Sequence, residues 1–130
     1  AFAAWWNGND IDDLLDLGVF DDERAARERG ERIEMTARLQ ERFGTSGPVE
    51  TRDALMEWMA GTPAAVALLN LDDLLMEERR QNIPGTHWER PNWRLRDAVS
   101  LEELGADVSF GDQLRRFATR RPDVVDPDKA

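Results

Sequence analysis

Within the fourteen residues Gln81–Arg94 the chain places two asparagines, two tryptophans, its only histidine, two prolines and one glycine. Carboxamides donate and accept at once, which suits a hydroxyl-rich ligand. Tryptophan offers a flat apolar face with a polar edge. Proline lacks an N–H and glycine relaxes the backbone, so neither a continuous helix nor a central strand runs through this stretch. It reads as a loop, the kind of element on which binding residues concentrate. The same residues also describe a proline-stiffened connector whose tryptophans plug the edge of a core. On their own they favour the connector reading.

Other groups capable of chemistry are carboxylates. Asp72 and Asp73 are adjacent and diverge on any regular element, so they make a poor acid–base pair. Asp10, Asp12 and Asp13 form a loose acidic cluster without the glycine-containing pattern of a calcium loop. Acidic runs in an acidic protein are usually solvated faces. One histidine and no cysteine rule out a multi-histidine or thiolate metal site within the chain. The sequence therefore assigns no catalytic residue, no metal ligand and no cofactor.

Composition narrows the field further. The chain has 130 residues, 34% of them charged, with a net charge of −10, and its only lysine is Lys129. Such acidity lacks the basic footprint of a nucleic-acid binder and repels anionic membranes, so neither is expected as a partner. The longest apolar run, Ala64–Leu69, falls far short of the roughly 20 residues that span a bilayer. No secretory signal is visible. The absence of cysteine is compatible with a reducing cytosol.

The elements that must position the loop are mostly helical. Phe2, Trp5 and Trp6 precede a turn at Asn7-Gly8-Asn9, and two adjacent tryptophans point different ways. Residues 10–17 suit a short amphipathic helix stopped by Gly18. Asp21-Asp22-Glu23 opens a long charged helix to about Phe43, and Gly30 is a place for it to break. Residues 51–60 form a helix with Leu55, Trp58 and Met59 as its core stripe. Residues 65–71, apolar and flanked by breakers, fit a short buried parallel strand, and periodicity alone also allows a buried helix. A short helix over 72–78 leads into the loop at 81–97. Ser100-Leu101-Glu102-Glu103 is a capping box, and Ser109 or Asp112 is expected to cap the last helix. Residues 122–130, with three aspartates and two prolines, read as a loose tail.

The motif Asn82-x-Pro84-Gly85-Thr86 followed by Pro91-Asn92-Trp93-Arg94 resembles a signature of the 4-alpha-glucanotransferases, the amylomaltases or disproportionating enzymes of glycoside hydrolase family 77. Leu71-Asp72-Asp73-Leu74-Leu75 is similar to the acidic segment just upstream in that family. Gly61-Thr62-Pro63 and the apolar run after it resemble the passage into the last strand of a (β/α)8 barrel. Trp5-Trp6 is similar to the aromatic pair that follows the family's third catalytic aspartate. These landmarks stand in the family's order across most of residues 1–105.

The resemblance implies a cytoplasmic enzyme that transfers α-1,4-glucan segments to the 4-hydroxyl of a glucan or glucose, with retention. It implies that residues 1–121 are the C-terminal part of a barrel: last strand at about 65–71, active-site loop at 81–97 and closing helices at 101–121. The acids of the double displacement would lie upstream, so the partners implied are an α-1,4-glucan or maltooligosaccharide and the upstream barrel of the parent chain. A chain that begins with Ala rather than Met fits such a portion. Asn82, Pro84, Gly85 and Trp88 are implied as substrate-binding residues, and Asn92 and Trp93 as braces of the loop. His87-Trp88 and the residues after Trp93 depart from the family pattern. The alternative is a free-standing helical module that binds glucan or protein without catalysis. An autonomous module buries its tryptophans, whereas part of a larger enzyme exposes the apolar run 64–71 as an edge with no sheet to join.

Overall fold

A computed structural model describes residues 1–90 and 92–122. The residues it covers form α1 (Phe2–Asn7), α2 (Asn9–Asp16), α3 (Asp22–Phe43), α4 (Pro48–Ala60), α5 (Leu71–Leu74), α6 (Leu101–Ala106) and α7 (Val108–Arg120). Most of the expected tail, residues 123–130, lies outside the described residues.

Local chemistry sets most of the boundaries. Gly8, at φ 82°, ends α1 and starts α2, a left-handed position that glycine occupies without a Cβ clash. Asp21 caps α3 by accepting the Arg24 N–H at 2.8 Å, and Gly44 closes that helix in the left-handed region. Between these caps α3 runs unbroken through Gly30, where an added Cβ would meet nothing within 4 Å. Ser100 and Glu103 form the capping box of α6. The cap of α7 is neither Ser109 nor Asp112 but Asp107, whose carboxylate accepts the N–H groups of Ser109 and Phe110 at 2.8 and 3.2 Å.

The expected strand at 65–71 is not formed, and no described residue belongs to a strand. This corrects the barrel reading of the fold: no sheet is present for the segment to join. A strand is stable only through ladder bonds to a neighbour. Residues 65–69 run between α4 and α5 without a backbone hydrogen bond to any described residue. Val66 and Leu68 are 72% and 82% exposed, whereas Leu69 turns inward beside Leu74 and Phe117.

α4 packs on α7 and on α3, and α1 lies against α2, α4 and α5. The core is thin. Four alanines share it with Ile11, Leu74, Ile83 and Leu104 as the buried apolar residues. The stripe expected on α4 is only partly inward, since Trp58 is 55% exposed and the buried positions are Thr51, Arg52 and Ala60. Arg52 replaces apolar packing with hydrogen bonds. Its Nη1 donates to the carbonyls of Leu74 and Asp73 at 2.7 and 3.2 Å, and Nε and Nη2 both reach Asp53. A buried guanidinium is tolerable only when its donors are met in this way.

Candidate functional site

The loop after α5 folds around one turn and one side chain. Ile83-Pro84-Gly85-Thr86 carries the marks of a type II turn: proline second, glycine third at φ 87°, and a Thr86 N–H to Ile83 carbonyl bond of 3.2 Å. Ile83 is buried at 3% exposure and anchors the turn to the scaffold. Asn92 then closes the loop from the far side. Its Oδ1 accepts the Ile83 N–H at 2.9 Å, and its Nδ2 donates to the Thr86 carbonyl at 3.1 Å. The Thr86 hydroxyl donates to the Ile83 carbonyl at 2.7 Å. At the neck, the Trp93 N–H donates to the Gln81 carbonyl at 2.7 Å.

This closure sorts the implied site residues. Asn92 spends both ends of its carboxamide inside the loop. Asn82 is half-buried, and among the described residues its carboxamide has no hydrogen-bond partner. Pro84 and Gly85 lie exposed at the apex. Trp88 is 85% exposed and packs on the His87 ring at 4.1 Å between centroids. Trp88 and Asn92 line one shallow cleft of about 460 Å³ with Thr86, His87 and Arg94, whereas Asn82, Pro84 and Gly85 are not among its walls. Trp93 is 74% exposed and adopts φ 60°, a conformation that costs a residue with a Cβ.

Charged groups fasten the loop to α2. Arg90 spans Asp13 at 3.3 Å and Asp16 at 3.4 Å, and Arg80 reaches Asp13 at 3.7 Å. Arg79 is held by Glu77 through both Nε and Nη2, and its Nη2 also donates to the Arg96 carbonyl. The Arg79 hydrogen bond pulls the Glu77 carboxyl down to about 2 despite partial burial. Asp72 moves the other way: burial first, then the nearby charge of Asp97, pushes its carboxyl above the usual aspartate range. The Glu89 carboxylate accepts the His87 N–H at 3.1 Å, and backbone N–H groups, its own foremost, hold it below the glutamate range.

The carboxylates of the acidic cluster on α2 are engaged in ion pairs. Asp10 is paired with Arg32 at 2.9 Å through both oxygens, Asp12 with Arg29, and Asp13 with Arg80 and Arg90. Among the described residues no three His, Cys, Asp or Glu side chains stand together as a metal site. Arg32 also donates to the Trp5 carbonyl and lies 4.5 Å from the Trp5 ring, fixing the aromatic pair to α3. No helix among the described residues is long and apolar enough to cross a membrane.

Sequence reasoning missed Thr86, Ile83, Arg52 and the arginines that grip α2. Thr86 was visible six positions before Asn92 across a Pro-Gly turn. The arginines gave no signal, because their partners lie far away in the chain.

Comparison with protein families gives a match to the glycoside hydrolase family 77 model, described as 4-alpha-glucanotransferase, over residues 1–100. No curated protein and no solved structure matches the chain. The match covers more than half of the 130 residues, and the chain belongs to this family.

Proposed function

We propose, with family membership as the premise, that this chain supplies the substrate-binding loop of a 4-alpha-glucanotransferase. The enzyme transfers an α-1,4-glucan segment to the 4-hydroxyl of a glucan or glucose by a retaining double displacement. Such chemistry uses two carboxyl groups about 5–5.5 Å apart, one as nucleophile and one as acid and then base. Both are proposed to lie in an upstream part of the enzyme, and this segment binds and orients without reacting. Asn82 addresses the sugar nearest the scissile bond, Pro84 and Gly85 let the backbone approach it, and Trp88 offers a platform on the cleft side. Asn92 and Trp93 hold the loop.

The observation that carries this reading is the division of labour between two carboxamides. Asn92 is consumed in closing the loop, whereas among the described residues the Asn82 carboxamide makes no hydrogen bond. Exposure favours a portion of an enzyme over an autonomous module. Val66 and Leu68 stand in solvent, as do Trp58, Trp88 and Trp93.

The test is transfer from maltotriose by the enzyme that contains this segment. Asn82→Ala is expected to lower kcat/KM by about 100-fold or more, since orientation at the reacting centre is lost. Trp88→Ala is expected to act mainly on KM. Full activity in Asn82→Ala, or glucan transfer by the 130-residue chain alone, overturns the reading.

A further inference from the structure

We infer that Asn7 is a modification site: it deamidates spontaneously by closing on the Gly8 nitrogen, and the product releases the α1–α2 turn from the base of the loop. The inference goes beyond the glucan reading and does not depend on it.

The reaction needs a backbone nitrogen that can reach the preceding side chain. The Gly8 nitrogen attacks Cγ of Asn7, the Cγ–Nδ2 bond breaks, and ammonia leaves with the proton from that nitrogen. Water then opens the five-membered imide at either carbonyl, giving aspartate or isoaspartate. Of the five asparagines, Asn7 alone is followed by glycine, which has no Cβ to obstruct ring closure. Asn7 is exposed and ends the six-residue α1, and Gly8 sits at φ 82°. The Gly8 N–H is held only by the last carbonyls of that helix, with the Trp5 oxygen at 3.3 Å. Helix ends of this kind open at little cost.

The other asparagines are guarded. The nitrogen after Asn82 belongs to Ile83 and donates to Asn92 at 2.9 Å; the one after Asn92 belongs to Trp93 and donates to Gln81 at 2.7 Å. Asn9 and Asn70 precede Asp10 and Leu71, whose side chains crowd the same approach.

The consequence lies in what Asn7 holds. Its Nδ2 donates to Glu78 Oε1 at 2.9 Å, and Asn9 Nδ2 donates to the Glu78 carbonyl at 3.3 Å. These bonds tie the turn to residue 78, where the chain enters the loop. Deamidation replaces the Asn7 donor with a carboxylate facing that of Glu78, and two ionised carboxyl groups so close repel. The isoaspartate product also lengthens the main chain by one carbon between helices whose Ala3, Ala4 and Ile11 are buried.

The test incubates the intact 130-residue chain at mildly alkaline pH beside a short peptide of residues 4–11, with peptide mapping by mass spectrometry. The expected result is conversion of Asn7 to an aspartate and isoaspartate pair within about 100-fold of the peptide's rate, with Asn82 and Asn92 unchanged. A slower rate, or conversion spread evenly over the five asparagines, overturns the site. Asn7→Asp supplies one product directly. It is expected to speed amide exchange roughly fivefold or more at Trp93 in the loop neck and at Ile11, whose N–H bonds the Gly8 carbonyl at 2.9 Å. Adding Glu78→Gln should restore protection, because a carboxamide can donate to the new carboxylate. Asn7→Ala, which removes the donor without adding charge, gives the baseline. Exchange in Asn7→Asp no faster than in Asn7→Ala overturns the release.

Discussion

Arg52 Nη1 donates to the Leu74 carbonyl at 2.7 Å, so the end of α5 is tied to α4 by a guanidinium only 3% exposed. Replacing it by methionine keeps the length and removes every donor. The carbonyls of Leu74 and Asp73 then lose their donor and Asp53 loses its cation. Arg52→Met is expected to cost about 2–4 kcal/mol, read as a lower urea midpoint at pH 7. Arg52→Lys restores charge without the planar fork and is expected to recover only part of the loss.

Asn92→Ala removes the acceptor for the Ile83 N–H and the donor to the Thr86 carbonyl. The expected loss is local, about 1–3 kcal/mol, and appears as faster amide hydrogen exchange at Ile83 while the helices keep their protection. Asn92→Asp retains the acceptor alone and should fall between. Unchanged exchange at Ile83 would mean that Asn92 does not hold the loop.

Trp93 pairs a positive φ with an exposed ring, so its backbone and side chain make opposite demands. On the reading that Trp93 braces the loop, Trp93→Gly is expected to lower loop stability even though it relieves about 1 kcal/mol of backbone strain. Thermal unfolding measures the balance. A rise in stability instead would show that the indole does not brace the loop.

Acid should act on Glu77 and Asp72 in opposite directions. The folded pKa of Glu77 is depressed to about 2 by Arg79, so its contribution is complete above the ordinary value of 4.5 and is lost as pH falls towards 2. Arg79 is half exposed, which limits that contribution to about 1 kcal/mol. Asp72 is raised by burial and by Asp97, so its charge opposes folding increasingly above the ordinary value of 3.8 and in full once pH exceeds its folded pKa. Asp72→Asn is expected to raise Tm at pH 7 and to have no effect below the ordinary aspartate value of 3.8. Tm of wild type, Glu77→Gln and Asp72→Asn across pH 2–7 checks both signs.

Several helix ends were legible because they are written in local chemistry. Asp21, Gly44 and the Ser100–Glu103 box act within one turn of themselves, and the structure places helix ends at each. The break in regular structure at Pro84-Gly85 was legible for the same reason, whereas the turn itself came from the structure. Residues 65–71 were misread because an apolar run between breakers states only that burial is available. Whether it becomes a strand depends on a neighbour that its own residues do not specify, and among the described residues there is none. The grip of Arg80 and Arg90 on Asp13 was hidden by separation, since it joins positions some seventy residues apart. The family motifs pointed to Asn82 and Asn92 together, and only the hydrogen bonds distinguish the committed amide from the uncommitted one.

The bare segment around Val66 and Leu68 also governs how copies of the chain treat one another. Two such segments can complete each other's ladders, the first step of aggregation. Opposing this is a net charge of −10, which makes every approach repulsive. The reach of that repulsion is about 10 Å in 0.1 M salt and about 3 Å in 1 M. The protein is therefore expected to stay dispersed in dilute buffer and to cluster as salt is added, the reverse of salting-in, with light scattering against salt concentration as the check.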